Sequence, residues 1–171
     1  MELTKKERTI KYVVYAVIIA VLSLLQNVGG LWFEIGGARC FFLVPAAVLL
    51  SLDEDEKTAA IIGLFAGLLW DITAAHHMGF NCLFIMVACY IMSVLVTHLF
   101  RATFWVGTVG AVLFTFLYVL IYWIVFVLIK GGDGSGVVFF TFYLPSFIYT
   151  AVLTVLMNIA FVPLKRKLNK A

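Results

Sequence analysis

The sequence predicts an all-α membrane protein: a bundle of six transmembrane helices with both termini in the cytoplasm. Three observations lead there. Of 171 residues, 64% are hydrophobic and only 12% are charged, about half the charged share of an ordinary soluble domain. Mean hydropathy is +1.12, so the chain lacks the polar coat a water-soluble globule needs. The apolar residues fall into runs separated by short polar turns, and nearly all Lys and Arg lie on one side of those runs.

The first run covers about 12–32, with Gln26 and Asn27 as its strongly polar members near the far end. Lys5, Lys6, Arg8 and Lys11 precede it as in a signal peptide, but the run is too long and no small-x-small cleavage site follows. After a glycine-rich break a second run, 40–52, spans only about 20 Å as a helix. It must borrow length from its flanks, thin the bilayer, or pack inside the bundle. The cluster Asp53 to Lys57 marks an aqueous turn. The third run, 58–78, contains Asp71, His76 and His77; the fourth is 80–97, the fifth 104–129 and the sixth 137–163, with a glycine-rich loop before the sixth.

Orientation follows from positive charge. With both termini inside, ten of the twelve Lys and Arg are cytoplasmic, and only Arg39 and Lys130 face out. Trp32, Trp70, Trp105 and Trp123, with Tyr122 and Tyr143, read as an interfacial belt. A net charge of +3 without a basic stripe excludes nucleic acid as a partner, leaving membrane lipid and other proteins. Cys40, Cys82 and Cys89 lack disulfide or zinc spacing and read as small buried hydrophobes.

One constellation carries chemistry. Ala59, Gly63, Gly67 and Asp71 recur every four residues, so they lie along one helical face. Small residues in such a row let a second helix approach closely. A mid-helix Asp costs about 2.5 to 3.5 kcal/mol to place in a membrane, so something must offset it. Gln26, Asn27, Arg39, His76, His77 and Asn81 gather at the same outer side as candidate partners. Two readings stand: a polar site for a ligand or partner, or a structural acceptor capping a broken helix. Adjacent histidines on a helix diverge by about 100°, which disfavours a zinc site built from His76, His77 and Asp71. Asn158 is suited to a cross-helix hydrogen bond, and His98 to a solvated span end. On the row argument, Gly67→Leu should disrupt assembly more than Ala66→Leu. No Ser-His-Asp order, phosphate-binding glycine loop, CxxC pair or close carboxylate pair is present, so neither enzymatic activity nor a cofactor or metal is expected.

The stretch Gly63-Leu-Phe-Ala-Gly67-Leu-Leu-Trp-Asp71, followed by Gly79 and a span containing Tyr90, resembles the signature region of the rod shape-determining protein MreD family, which is also similar in size. The resemblance implies a non-enzymatic component of the bacterial cell membrane, multi-pass, in the machinery that elongates the peptidoglycan wall. It implies MreC, RodA-type and class B penicillin-binding wall synthases, and MreB filaments as partners. Gly63 and Gly67, set in position by Asp71, would dock the MreC helix or stabilise the bundle that does so. A second resemblance is to the substrate-binding S component of an energy-coupling factor vitamin transporter, through the span pattern, the outer polar groups and Ala16-Val-Ile-Ile-Ala20. A bare assembly protein unrelated to the wall is a third class.

Overall fold

The computed structural model describes residues 5–27, 39–74, 79–129 and 135–169; these are 89% helix, with no strand among them. Among the described residues the α-helices are α1 (Lys5–Asn27), α2 (Leu43–Ser51), α3 (Glu56–Ala74), α4 (Phe80–His98), α5 (Phe104–Trp123), α6 (Ser135–Val138) and α7 (Leu144–Leu168). A π-helical stretch, Ile124–Leu128, extends α5, and a second, Phe139–Tyr143, joins α6 to α7. Pro145 is the second residue of α7, directly after the π-helical turn that precedes it. The helix then runs on through Pro163 to Leu168, beyond the end the sequence suggests.

Four described stretches are long and apolar enough to cross a membrane: Lys5–Asn27, Phe80–His98, Phe104–Leu128 and Ser135–Leu168. α2 has nine residues, about 14 Å at the helical rise. Every one of them is buried. Of the three solutions open to a run this short, α2 packs inside the bundle.

A buried short helix needs partners for its end amides and carbonyls. Leading into α2, the Arg39 and Phe41 amides donate to the hydroxyls of Ser146 and Thr150 on α7, each at 3.0 Å. The Leu43 amide donates to Gln26 Oε1 on α1 at 3.0 Å. At the other end, the Leu49 carbonyl accepts from Lys165 Nζ at 3.0 Å, and Lys165 also pairs with Asp53 at 2.7 Å. Glu54, buried, pairs with Lys11, and its carbonyl accepts from Ser93 Oγ at 2.8 Å.

These contacts fix which ends meet. Lys11 and Gln26 lie fifteen residues apart on α1, about 22 Å, and the 39–54 segment bridges that height. His98 at the end of α4 lies 3.3 Å from Glu56 at the start of α3. Asn158 of α7 donates to the Phe104 carbonyl at 2.9 Å and to Thr108 Oγ1 at 2.7 Å, the cross-helix bond its sequence position suggests. Consecutive segments therefore run alternately between a Lys11 end and a Gln26 end.

The polarity of the helix faces is reversed from that of a soluble bundle. On α1 the buried line is Lys11, Tyr15, Ile19 and Ser23, while Val13, Val17, Val21 and Leu24 are exposed. On α7 Ser146, Thr150, Thr154 and Asn158 face inward, while Ile148, Val152, Leu156 and Ile159 face out. Contiguous apolar surface of this kind belongs in an apolar medium.

α3 and α4 form the most extensive helix pair, and glycine is the reason. A Cβ on Gly63 would stand 2.6 Å from the Ile85 carbonyl oxygen, and one on Gly67 would stand 2.3 Å from Cys82 Cα. Both obstacles are backbone, which cannot swing away. The small-residue row therefore packs on α4 of the same chain. Ala66, off the row, is also fully buried in the core. Its burial removes the contrast expected between positions 66 and 67, so the informative control is an exposed neighbour.

Accordingly, Gly67→Ala should lower the melting temperature in detergent, since overpacking costs about 1 to 3 kcal/mol. Leu68→Ala, at a position 43% exposed, should change it by less than half as much; equal falls would refute the close-approach assignment.

Asp55 caps α3: its Oδ1 accepts from the Thr58 hydroxyl at 2.7 Å and its Oδ2 from the Thr58 amide at 3.2 Å. The Thr58 hydroxyl bond holds the Asp55 carboxyl below its usual range. The folded value is the lower one, so the cap contributes fully above the unfolded aspartate value of about 3.9 and is lost as pH falls through the folded value. Thermal unfolding of Asp55→Asn should therefore lose part of the acid-side pH dependence of the parent; an unchanged acid limb would contradict the cap.

Candidate functional site

Asp71 closes the small-residue row near the end of α3, and it is 3% exposed. Its Oδ2 accepts from the Gly79 amide and the Cys82 amide, each at 3.0 Å; its Oδ1 accepts from Asn81 Nδ2 at 2.9 Å. Gly79 and Cys82 are the N-cap and third residues of α4. In most helices the cap residue's own side chain takes that third amide. Here the cap is glycine, in the left-handed region at φ 94°, a conformation other residues resist. The carboxylate comes instead from the preceding helix. Its charge lies against the positive end of the α4 dipole, and its bonds are charge-assisted. This is what offsets the cost of an aspartate in an apolar run.

The joint continues sideways. Asn81 Oδ1 accepts from the Tyr118 hydroxyl on α5 at 2.7 Å, so one chain of bonds ties α3, α4 and α5. Asn81 is 3% exposed and Tyr118 equally buried. Tyr118 packs tilted on Trp70 at 5.1 Å and edge-on to Phe41 at 5.7 Å.

Beside this joint, at the Gln26 end, lies a cavity of about 360 Å³. Gln26, Asn27, Arg39 and Asn81, gathered from three separate places in the sequence, all line it. Asn27 turns its Nδ2 back to the Ser23 carbonyl at 2.9 Å. Of the remaining predicted site residues, Ala59 is fully buried at the opposite end of the row and Gly79 lies at the turn above Asp71. His76 and His77 lie outside the described residues, as does Trp32. Among the described residues no group of three or more His, Cys, Asp and Glu side chains is placed to hold a metal ion.

The structure narrows one expectation and corrects another. Of the two roles expected of the Gly63 and Gly67 face, docking a helix of another protein or packing the bundle, it serves the second, because α4 fills it. Trp70 and Tyr143 are not interfacial anchors: they are 6% and 9% exposed and form part of the cavity wall. Asp71 must turn inward, and Trp70, one residue earlier, is carried into the core with it. Trp105 is 73% exposed. The cavity residues that sequence reasoning missed are Cys40, Phe41, Thr73, Tyr118, Tyr122 and Phe142. Their signal was the density of aromatics toward the same span ends.

Compared with known protein families, with curated proteins and with solved structures, the chain matches none.

The bonding pattern can be tested by exchange. In Asp71→Asn the amide oxygen can keep both α4 amides, but its NH₂ then confronts the Asn81 NH₂. The loss should be about 1 to 3 kcal/mol in unfolding free energy. Asn81→Asp alone sets two carboxylates against each other. The double variant restores donor to acceptor, so a double-mutant cycle should return positive coupling; strict additivity would show that the two side chains act separately.

Proposed function

We propose that this protein is a non-enzymatic, multi-pass component of the bacterial cell membrane, similar to the MreD family, that acts in rod elongation and peptidoglycan synthesis by holding MreC and the wall synthases. In this reading the chain crosses the membrane six times with both termini cytoplasmic. The short 39–54 passage, buried within the bundle, and α3 are two of the crossings. The ten inward positive charges support that orientation.

One observation carries the reading. The four residues on which the resemblance rests, Gly63, Gly67, Asp71 and Gly79, form a single mechanical unit: two glycines admit α4, and the carboxylate binds its first amides. A motif with that role serves a rigid helical bundle. Partners are then held by the outward apolar faces, and the acidic 53–56 turn and the basic C-terminal stretch offer the polar contacts for MreB filaments.

Depleting the protein in a rod-shaped host should round the cells, and the tagged protein should co-purify in detergent with an MreC-like single-span protein. Reporter fusions at the two termini should both read cytoplasm. Unchanged cell shape on full depletion would sink the proposal, whatever the topology result.

A further inference from the structure

A second cavity, of about 400 Å³, opens at the Lys11 end between α5 and α7. Ala102, Thr103 and Phe104 at the start of α5 line one side, and Asn158, Val162 and Lys165 of α7 line the other. Two kinds of polar group there lack partners. The first bond of α5 runs from the Gly107 amide to the Thr103 carbonyl at 3.0 Å, and the Thr103 side chain caps nothing. The amides of Phe104, Trp105 and Val106 therefore find no acceptor among the described residues. Asn158, 3% exposed, is fixed in orientation because its Nδ2 donates to the Phe104 carbonyl and to Thr108 Oγ1. Its Oδ1 accepts nothing from the described residues, yet it is not sealed in the packed core, so it opens on the cavity.

These groups need opposite things. Bare amides at the positive end of a 20-residue helix favour the oxygens of an anion. A buried carbonyl oxygen needs a donor. A carboxylate or a halide brings no donor, and water brings no charge to the helix end. A phosphate ester that carries a free hydroxyl meets both needs from one molecule, and the volume suits a group of that size. Asp53, which also lines the space, is paired with Lys165 at 2.7 Å, so its charge is already balanced. Arg166 and Lys167 follow on the last turn of α7 and keep the surrounding potential positive. The stretch Phe104–Leu128 is long and apolar enough to cross a membrane, and the end of such a stretch lies among lipid headgroups. We propose that this cavity binds a glycerophosphate group, with its phosphate on the first amides of α5 and a glycerol hydroxyl donating to Asn158 Oδ1. The group is the headgroup of phosphatidylglycerol in the surrounding leaflet or free glycerol phosphate. The proposal goes beyond the scaffold reading and does not rest on it.

The test uses the full chain in dodecyl maltoside micelles, with the melting temperature read against the concentration of four probes. They are dihexanoyl phosphatidylglycerol, phosphatidylmethanol and phosphatidylcholine of the same chain length, and glycerol 3-phosphate. A ligand that binds only the folded protein raises that temperature, and more so the tighter it binds. Phosphatidylglycerol should give a saturable rise and phosphatidylcholine none. Phosphatidylmethanol has the same charge without the glycerol hydroxyls, so it should bind about tenfold more weakly, the effect of one lost hydrogen bond to a buried acceptor. A rise with phosphatidylglycerol alone identifies the lipid as the source, and a rise with glycerol 3-phosphate identifies the free ester as sufficient; either supports the site. Thr103→Asp supplies the absent cap from within the chain. Its unliganded melting temperature should hold or rise, while the response to phosphatidylglycerol is lost because a carboxylate fills the anion position. No rise with either glycerophosphate probe would overturn the site. So would equal rises with all three lipids, equal binding of phosphatidylglycerol and phosphatidylmethanol, or a response that survives in Thr103→Asp. A fall in the unliganded melting temperature of that variant would show that the α5 amides are not bare, and would overturn it as well. Cell-shape and MreC co-purification results bear only on the scaffold reading, so the two can fail separately.

Discussion

A helix end in an apolar medium has no water to satisfy its amides and carbonyls, and each one left bare is costly. That constraint organises this molecule. α4 begins at a glycine that has no side chain to cap it, and Asp71 reaches across from α3 to do so. α2 begins where Ser146, Thr150 and Gln26 offer oxygens, and it ends where Lys165 offers protons. Charged and polar side chains are inside because their partners are backbone groups that must also be inside. The apolar faces are outside because nothing there requires a partner.

From this follows the division of labour among the helices. α3 and α4 are joined so closely that backbone meets backbone at Gly63 and Gly67. Such contact is the result of small residues rather than of hydrophobic force, which has no purchase between helices already in lipid. α1 and α7 add long polar side chains that reach the turn after α2, Lys11 to Glu54 and Lys165 to Asp53. The short passage through α2 is held by both sets. Where the joint between α3 and α4 reaches α5 through Asn81 and Tyr118, the aromatic wall begins. The rigid corner and the cavity are thus built from the same residues.

Much of this was legible in the sequence, for definite reasons. Asp71 stands out because a charge in an apolar run is expensive, and its four-residue spacing from Gly67 and Gly63 gives the face. The destination of the carboxylate was not legible, because its acceptor role is completed by Gly79 and Cys82 across a turn, and sequence spacing alone does not separate a helix cap from a ligand site. The outer gathering of Gln26, Asn27, Arg39 and Asn81 follows from counting spans, and they do share one cavity. Trp70 was misread because a tryptophan near a span end looks the same whether it faces lipid or core. The inward line of Ser146, Thr150, Thr154 and Asn158 has the same period as the glycine row. It is the signal that marks α7 as the helix on which the α2 lead-in hangs.

The reliance of α2 on α7 also bears on the order in which the molecule can be completed. Lys165 and the Leu49 carbonyl that it satisfies are 116 positions apart, so most of the polypeptide must leave the ribosome before the innermost segment has its last bond. Until then the nine-residue element has exposed polar ends and is too brief to anchor itself. Its early stay among α1 and α3 has to be provisional, and the final helix acts as the bolt that makes the arrangement permanent.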